Sequence, residues 1–337
     1  MLLNSACQPL SALPSETTKL PPTPTVVLPT PMPTRPHYAP GELVDYMAQP
    51  GDTLPALASH FNTTEAEIRE ANPILPSRVT TLPMGLPMQI PIYYEALWGS
   101  PYQIIPDALF VNGPEQIDFN TVAFVNQTNG WLKNHREYAG NEWRQGGELV
   151  DYIATQFSLN PRLLLAILEY QTHALSDPGG YPFTDYPLGY EEMYHKGLNN
   201  QLVWAANALN NGYYGWRTGR LREIELIDGS LEIPDPWQNA ASVGLHYYFS
   251  QVLDHDLYVL AVSGLGLAQT YRDLFDDPWS ADLQLIPGSL EQPEMLLPFP
   301  RGQLWIYRGT AYRLGRRRTA GRSRFCSAKR VGWLYRG

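Results

Sequence analysis

The chain has 337 residues, 44% hydrophobic and 17% charged, which suits a globular protein of two or three domains. Its 24 Lys+Arg against 33 Asp+Glu give a net charge of −9, and residues 301–337 hold 11 of the basic residues and no acidic one. The first 300 residues therefore carry 13 − 33 = −20, which argues against a nucleic-acid partner, since phosphate binding needs a basic face. No apolar run reaches the length of a membrane-spanning helix. Cys7 and Cys326 lie at opposite extremes, so neither a disulfide framework nor a cysteine-based metal site is expected.

At the N-terminus, Met1-Leu2-Leu3-Asn4-Ser5-Ala6-Cys7 reads as the clipped end of a lipoprotein signal, with Cys7 as the lipidation residue and the only expected tie to a membrane. A free cysteine in a tail is the competing reading. Residues 8–40 hold ten Pro and six Thr, a composition for an extended spacer without a core.

Residues 41–94 read as a compact unit. Leu43 to Gln49 alternates as a strand, and Pro50-Gly51-Asp52 signals a turn. Asp52 or Thr53 caps a first helix, Pro55 falls in its first turn, and Leu54, Leu57, Ala58 and Phe61 form its apolar stripe. Thr63 or Thr64 caps a second helix, which Asn72-Pro73 ends, and Met88 to Ile92 forms a closing strand. The order is β-α-α-β.

This unit resembles the LysM module. The shared features are Gln49-Pro50-Gly51-Asp52-Thr53-Leu54, the Ala58–Phe61 segment, Thr64, Asn72-Pro73, and the Leu82-Pro83-Met84-Gly85 to Gln89-Ile90-Pro91 ending. The resemblance implies binding of N-acetylglucosamine polymers, peptidoglycan or chitin, without a cofactor. The sugar would lie in a groove formed by Gly51, Asp52, Thr53, Leu54, Pro73 and Ile74.

Residues 95–118 read as a Pro- and aromatic-rich linker, and 119–275 as amphipathic helices over roughly 119–138, 147–157, 161–173, 198–211, 236–253 and 263–275. Asn160-Pro161 opens an apolar helix through Thr172. The helical region resembles the lysozyme-like transglycosylases, which implies an all-α domain and an α+β class for the whole chain.

Alignment on this resemblance puts the family's catalytic Glu at Gln171, with Glu169 upstream. Gln171 shares the stripe of Leu164, Ile167 and Leu168, whereas Glu169 faces away. An amide has no proton to give a leaving group, so the region reads as a binding module rather than an active glycosidase. Glu191, Glu192 and Asp185 are alternative acids, with solvated loop charges as their commoner meaning. Trp204, Tyr213, Tyr214, Trp216 and Trp237 read as sugar-stacking aromatics or as core.

Residues 276–300 are a Pro-rich loop. The basic tail that follows is either a wall-polymer contact or a stretch read out of frame. In the second case the architecture resembles envelope proteins in which a lysostaphin-type zinc peptidase would begin near Gly302. All seven His lie at or before His255, so its ligand set is missing from this chain. The expected protein is a peptidoglycan binder of the cell envelope or extracellular space, with a cell-wall hydrolase as the alternative.

Overall fold

The computed structural model describes residues 36–181 and 184–280, and two short strands beyond them. Cys7 and residues 8–35 of the Pro/Thr spacer lie outside the described residues, whereas the end of the spacer packs on the module core through Tyr38. The chain divides into two units, Met1–Leu285 and Ile286–Gly337. In the second, β7 (Trp305–Arg308) pairs antiparallel with β8 (Arg324–Ser327), so part of the basic tail carries a ladder that its composition did not suggest.

The first unit begins with β1 (Glu42–Met47), α1 (Leu54–His60), α2 (Glu65–Ala71) and β2 (Pro87–Ile92), the order expected. β1 and β2 are antiparallel from Glu42 opposite Ile92 to Met47 opposite Pro87. Strand alternation sends Val44 and Tyr46 into the core and leaves Leu43, Asp45 and Met47 exposed. Thr53 caps α1 by accepting the Ala56 N–H at 3.3 Å. Thr64 and Glu67 form a reciprocal capping box on α2. Asn72 does more than stop that helix. Its Nδ2 donates to the carbonyls of Ile68 (2.7 Å) and Gln89 (2.6 Å), and its Oδ1 accepts the Gln89 N–H (2.9 Å), which fastens α2 to β2.

The body that follows is helical with two short hairpins set into it. In order these are α3 (Thr121–Gln127), β3 (Arg136–Ala139), β4 (Glu142–Gln145), α4 (Gly146–Phe157), α5 (Pro161–Thr172), α6 (Leu198–Arg217), β5 (Ile224–Glu225), β6 (Leu231–Glu232), α7 (Ala240–Ser250), α8 (His255–Ala261) and α9 (Leu267–Phe275). The class is therefore α+β, in the body as well as in the chain as a whole. The helix expected over 119–138 stops at Gln127, and its second half is a 3-10 turn and the strand β3. The turn Gly140-Asn141, both residues at positive φ, folds β3 back on β4 in the left-handed conformation that tight hairpins favour.

α5 is buried on nearly every side from Leu163 to Leu168, as befits the central helix of a body this size. α6 packs along α7 at the closest approach glycine permits: a Cβ on Gly212 would lie 2.9 Å from the Gly244 Cα. Residues 95–118 do not merely connect. Ile104, Ile105 and Phe110 are fully buried in the body, and Phe110 stacks on Tyr213. Elsewhere in the body, partly buried Glu232 and buried His246 and Tyr258 form a hydrogen-bonded group that ties β6 to α7 and α8.

Candidate functional site

The expected glycan-binding turn and the body meet at a seam. Gly51 sits at φ +82°, and a Cβ there would fall 1.2 Å from an Arg217 guanidinium nitrogen at the end of α6. Arg217 in turn donates to the Tyr213 hydroxyl at 2.7 Å and lies 4.0 Å from Asp107. Asp52 accepts from the Tyr46 hydroxyl and the Gln49 N–H, both at 2.7 Å. Burial raises the Asp52 carboxyl above its ordinary range, against the pull of those donors and of Arg217. Burial also lifts Asp107 to about 6, despite the Ala241 N–H, Arg217 and Asn239 beside it.

The rest of the seam is well made. His60, the last residue of α1, stacks on Trp216 with ring centroids 3.5 Å apart and planes 5° from parallel. Its Nε2 lies 3.0 Å from the Trp216 carbonyl, so this nitrogen carries the proton and donates. Burial without a counter-charge pushes the His60 pKa down to about 3. Ser59 donates to the Gly219 carbonyl at 2.8 Å and Gln49 to that of Trp237 at 3.0 Å. The Trp237 ring meets Phe61 of the module core edge to face at 4.9 Å.

The six expected sugar-contacting residues thus have different environments. Leu54 is fully buried and shapes the turn from beneath. Gly51 and Asp52 face the seam. Thr53 bridges to Thr81, and the flanking pairs Leu54 N–H to Thr80 O (2.8 Å) and Leu82 N–H to Asp52 O (2.9 Å) close the turn against the long loop after α2. Pro73 and Ile74 face solvent, Ile74 at 80% exposure. Beside them a groove of about 520 Å3 runs over the sheet, lined by Asp45, Met47, Asn72, Gln89 and, from the body, Trp237. Trp237, expected among the sugar-stacking aromatics, lines this groove from the body.

At the C-terminal end of α5, Gln171 lies half-buried at the rim of a cavity of about 340 Å3, lined also by Thr172, His173, Asp177, Tyr181 and Thr184. Its amide is engaged at both ends. The Tyr248 hydroxyl donates to Oε1, and Nε2 points at the Leu188 carbonyl, 3.4 Å away. Glu169 faces away as its helical position requires, accepting from the Leu175 N–H (2.7 Å) and the Ser176 hydroxyl (2.5 Å) to cap the loop after α5. Glu192 pairs with His195, and neither it nor the exposed Glu191 lines the cavity.

Sequence reading missed three residues here. Asp177 is a carboxylate on the cavity wall, its Oδ1 taken by the Gly179 N–H at 2.7 Å. Tyr248 holds Gln171 from α7. Gln201, fully buried, gathers the wall loop with bonds to Leu188, Tyr190 and His195. A buried Gln inside an apolar helical stripe was the available signal for the last. Among the aromatics, Tyr213 and Trp216 belong to the core, Tyr214 is exposed, and Trp204 stacks under Tyr190 at 4.2 Å.

A family model described as LasA, N-terminal domain, matches residues 103–289, more than half of the chain. The chain belongs to that family. A LysM domain model matches residues 46–91, the β-α-α-β module. No curated protein and no solved structure matches the chain. LysM domains bind peptidoglycan or chitin-like glycans, and the two domains together indicate a protein of the cell envelope or extracellular space. No helix among the described residues is long and apolar enough to cross a membrane.

Proposed function

We propose that this protein binds peptidoglycan through its LysM module, and that its helical body positions the glycan without cleaving it. The observation that carries the first half is the LysM match over residues 46–91, with Pro73 and Ile74 exposed beside an open groove. The second half rests on Gln171. The end of a central apolar helix at a cavity is where a lysozyme-like body would place its acid, and here an amide sits there with both ends bonded. Such a group orients a sugar by hydrogen bonds but cannot protonate a leaving oxygen. Asp52 and Thr53 act indirectly, by shaping the turn and the seam. Lipidation at Cys7 would hold the assembly at the envelope, with residues 8–40 as spacer.

The alternative is a cell-wall hydrolase. The LasA N-terminal family match favours it, since LasA itself is a staphylolytic zinc peptidase. The residues present do not fit a zinc centre: among those described, no group of three His, Cys, Asp or Glu side chains converges on one point. In this reading residues 103–289 would serve a catalytic region by presenting substrate to it.

Purified protein incubated with cell walls separates these readings. Co-sedimentation without new reducing ends or free amines is the expected result. Reducing-end release abolished by Asp177→Asn, Glu191→Gln or Glu192→Gln would make the body a glycosidase with a displaced acid. New amines would make the protein a peptidase.

A further inference from the structure

Away from the seam and from the Gln171 cavity, the β3–β4 hairpin presents a face that packing leaves open. Tyr138 and Trp143 are direct cross-strand partners, 55% and 59% exposed, with ring centroids 5.7 Å apart at 69°. Scattered exposed aromatics are ordinary; a facing pair on one side of a hairpin, beside a groove, is not. The groove holds about 440 Å3, within the range of small-ligand sites, and Trp143, Tyr152, Glu142, Arg144, Glu148 and Asp151 line it.

The chemistry of that lining restricts the ligand. Three carboxylates against one guanidinium disfavour an anion. A cation would seek the aromatic faces, but Arg144 already lies 4.1 Å over Tyr152 and Arg136 lies 5.3 Å over Trp143. Among the described residues each carboxylate accepts from one donor, which leaves lone pairs for a ligand. Arg144 donates to Glu142, the Gln145 N–H donates to Glu148 at 2.8 Å, and the Thr121 hydroxyl donates to Asp151 at 3.2 Å. Acceptors in excess beside exposed aromatic rings suit a neutral ligand with many hydroxyl donors and apolar C–H faces, which describes a pyranose.

We propose that the β3–β4 hairpin and its groove are a second glycan-binding site, taking neutral hexose units, with Tyr138 and Trp143 as the stacking surface and Glu148, Asp151 and Arg144 as hydroxyl partners. That the ligand is the strand held by the module rests on the function proposed above. The site itself does not.

The test uses the full chain and a soluble N-acetylglucosamine oligomer. The Trp143 indole N–H resonance, assigned by its loss in Trp143→Phe, is followed during titration in the wild type and in Ile74→Asp, and the Ile74 amide in the wild type. A Trp143 shift that saturates in both proteins is the expected result. Tyr138→Ala with Trp143→Ala should then weaken retention on peptidoglycan about three- to tenfold, at an unchanged unfolding midpoint. Movement at Trp143 with Ile74 still would keep this site and refute the module. Movement at Ile74 with Trp143 still, or at neither, overturns the proposal. A Trp143 shift that follows protein concentration without sugar identifies a second copy of the chain as the occupant, and overturns it as well.

Discussion

The module and the body solve the same problem of burial with different resources. The body buries α5 against α4 and α9, packs α6 along α7, and closes its core around fully buried Tyr248, Tyr258 and Phe249. The module has two seven-residue helices on a two-stranded sheet, and both its core and its first helix lean on the body through Trp237 and Trp216. So small a unit has little apolar area to offset its chain entropy. The difference teaches that the seam is part of the module's stability, and that its face toward the body is committed while its Pro73–Ile74 face is free.

Four experiments test that contrast. The largest effect is expected from Trp216→Ala, which removes a buried ring from under His60. It should cost about 3–5 kcal/mol, read by urea unfolding. Hydrogen exchange should show module amides losing more protection than those of α5. Equal loss in both would mean that the module does not depend on the seam.

The second concerns pH. His60 has a folded pKa of about 3, below its ordinary 6.5, so its stability contribution is present above pH 6.5 and is lost as pH falls toward 3. Asp107 works oppositely. With its pKa raised to about 6 from 3.8, its contribution is present below 3.8 and is lost as pH rises through 6. Between about pH 4 and 6 the two slopes offset each other. His60→Gln, which keeps a donor for the Trp216 carbonyl, should therefore become more stable as pH falls from 6 to 4. Asp107→Asn should instead destabilise steeply over that range, by an amount on the order of 1.4 kcal/mol per pH unit. Denaturation midpoints at pH 4, 5, 6 and 7 check both signs.

Third, Gln171→Glu places a carboxyl beside the buried Tyr248 hydroxyl, where desolvation would raise its pKa into the range of a general acid. A trace of reducing-end release from peptidoglycan is expected, far below the roughly 10²–10⁴-fold that a placed acid supplies. The wild type should release none. Fourth and smallest, Ile74→Asp should leave unfolding unchanged and weaken glycan retention about fivefold, through about 1 kcal/mol of lost apolar contact.

What sequence made legible was local. Thr53, Pro55, Thr64 and Asn72 announce the module because caps and stops act within one turn of the chain. The inward aim of Gln171 and the outward aim of Glu169 followed from helical periodicity alone. The seam was illegible because Gly51 and Arg217, or His60 and Trp216, are far apart in the chain and carry no mutual signal. Gly51 looked like a binding-turn glycine, whereas its missing Cβ also makes room for a guanidinium from α6. Tyr213 and Trp216 were ambiguous for a related reason, since an aromatic at helical spacing reads the same in a core as in a cleft. The β3–β4 hairpin was overlooked although Gly140-Asn141 between two short strands is a recognised turn signal. A helical reading of its flanks absorbed it.

The central claim is that the chain holds peptidoglycan and does not cut it. Sedimentation of the 337-residue chain with purified peptidoglycan, with reducing ends and free amines assayed in the same supernatant, tests it most directly. Protein in the pellet is expected, salt-resistant because the contacts are not ionic, with neither product above background. Protein left in the supernatant, or product accumulating with time, would contradict it.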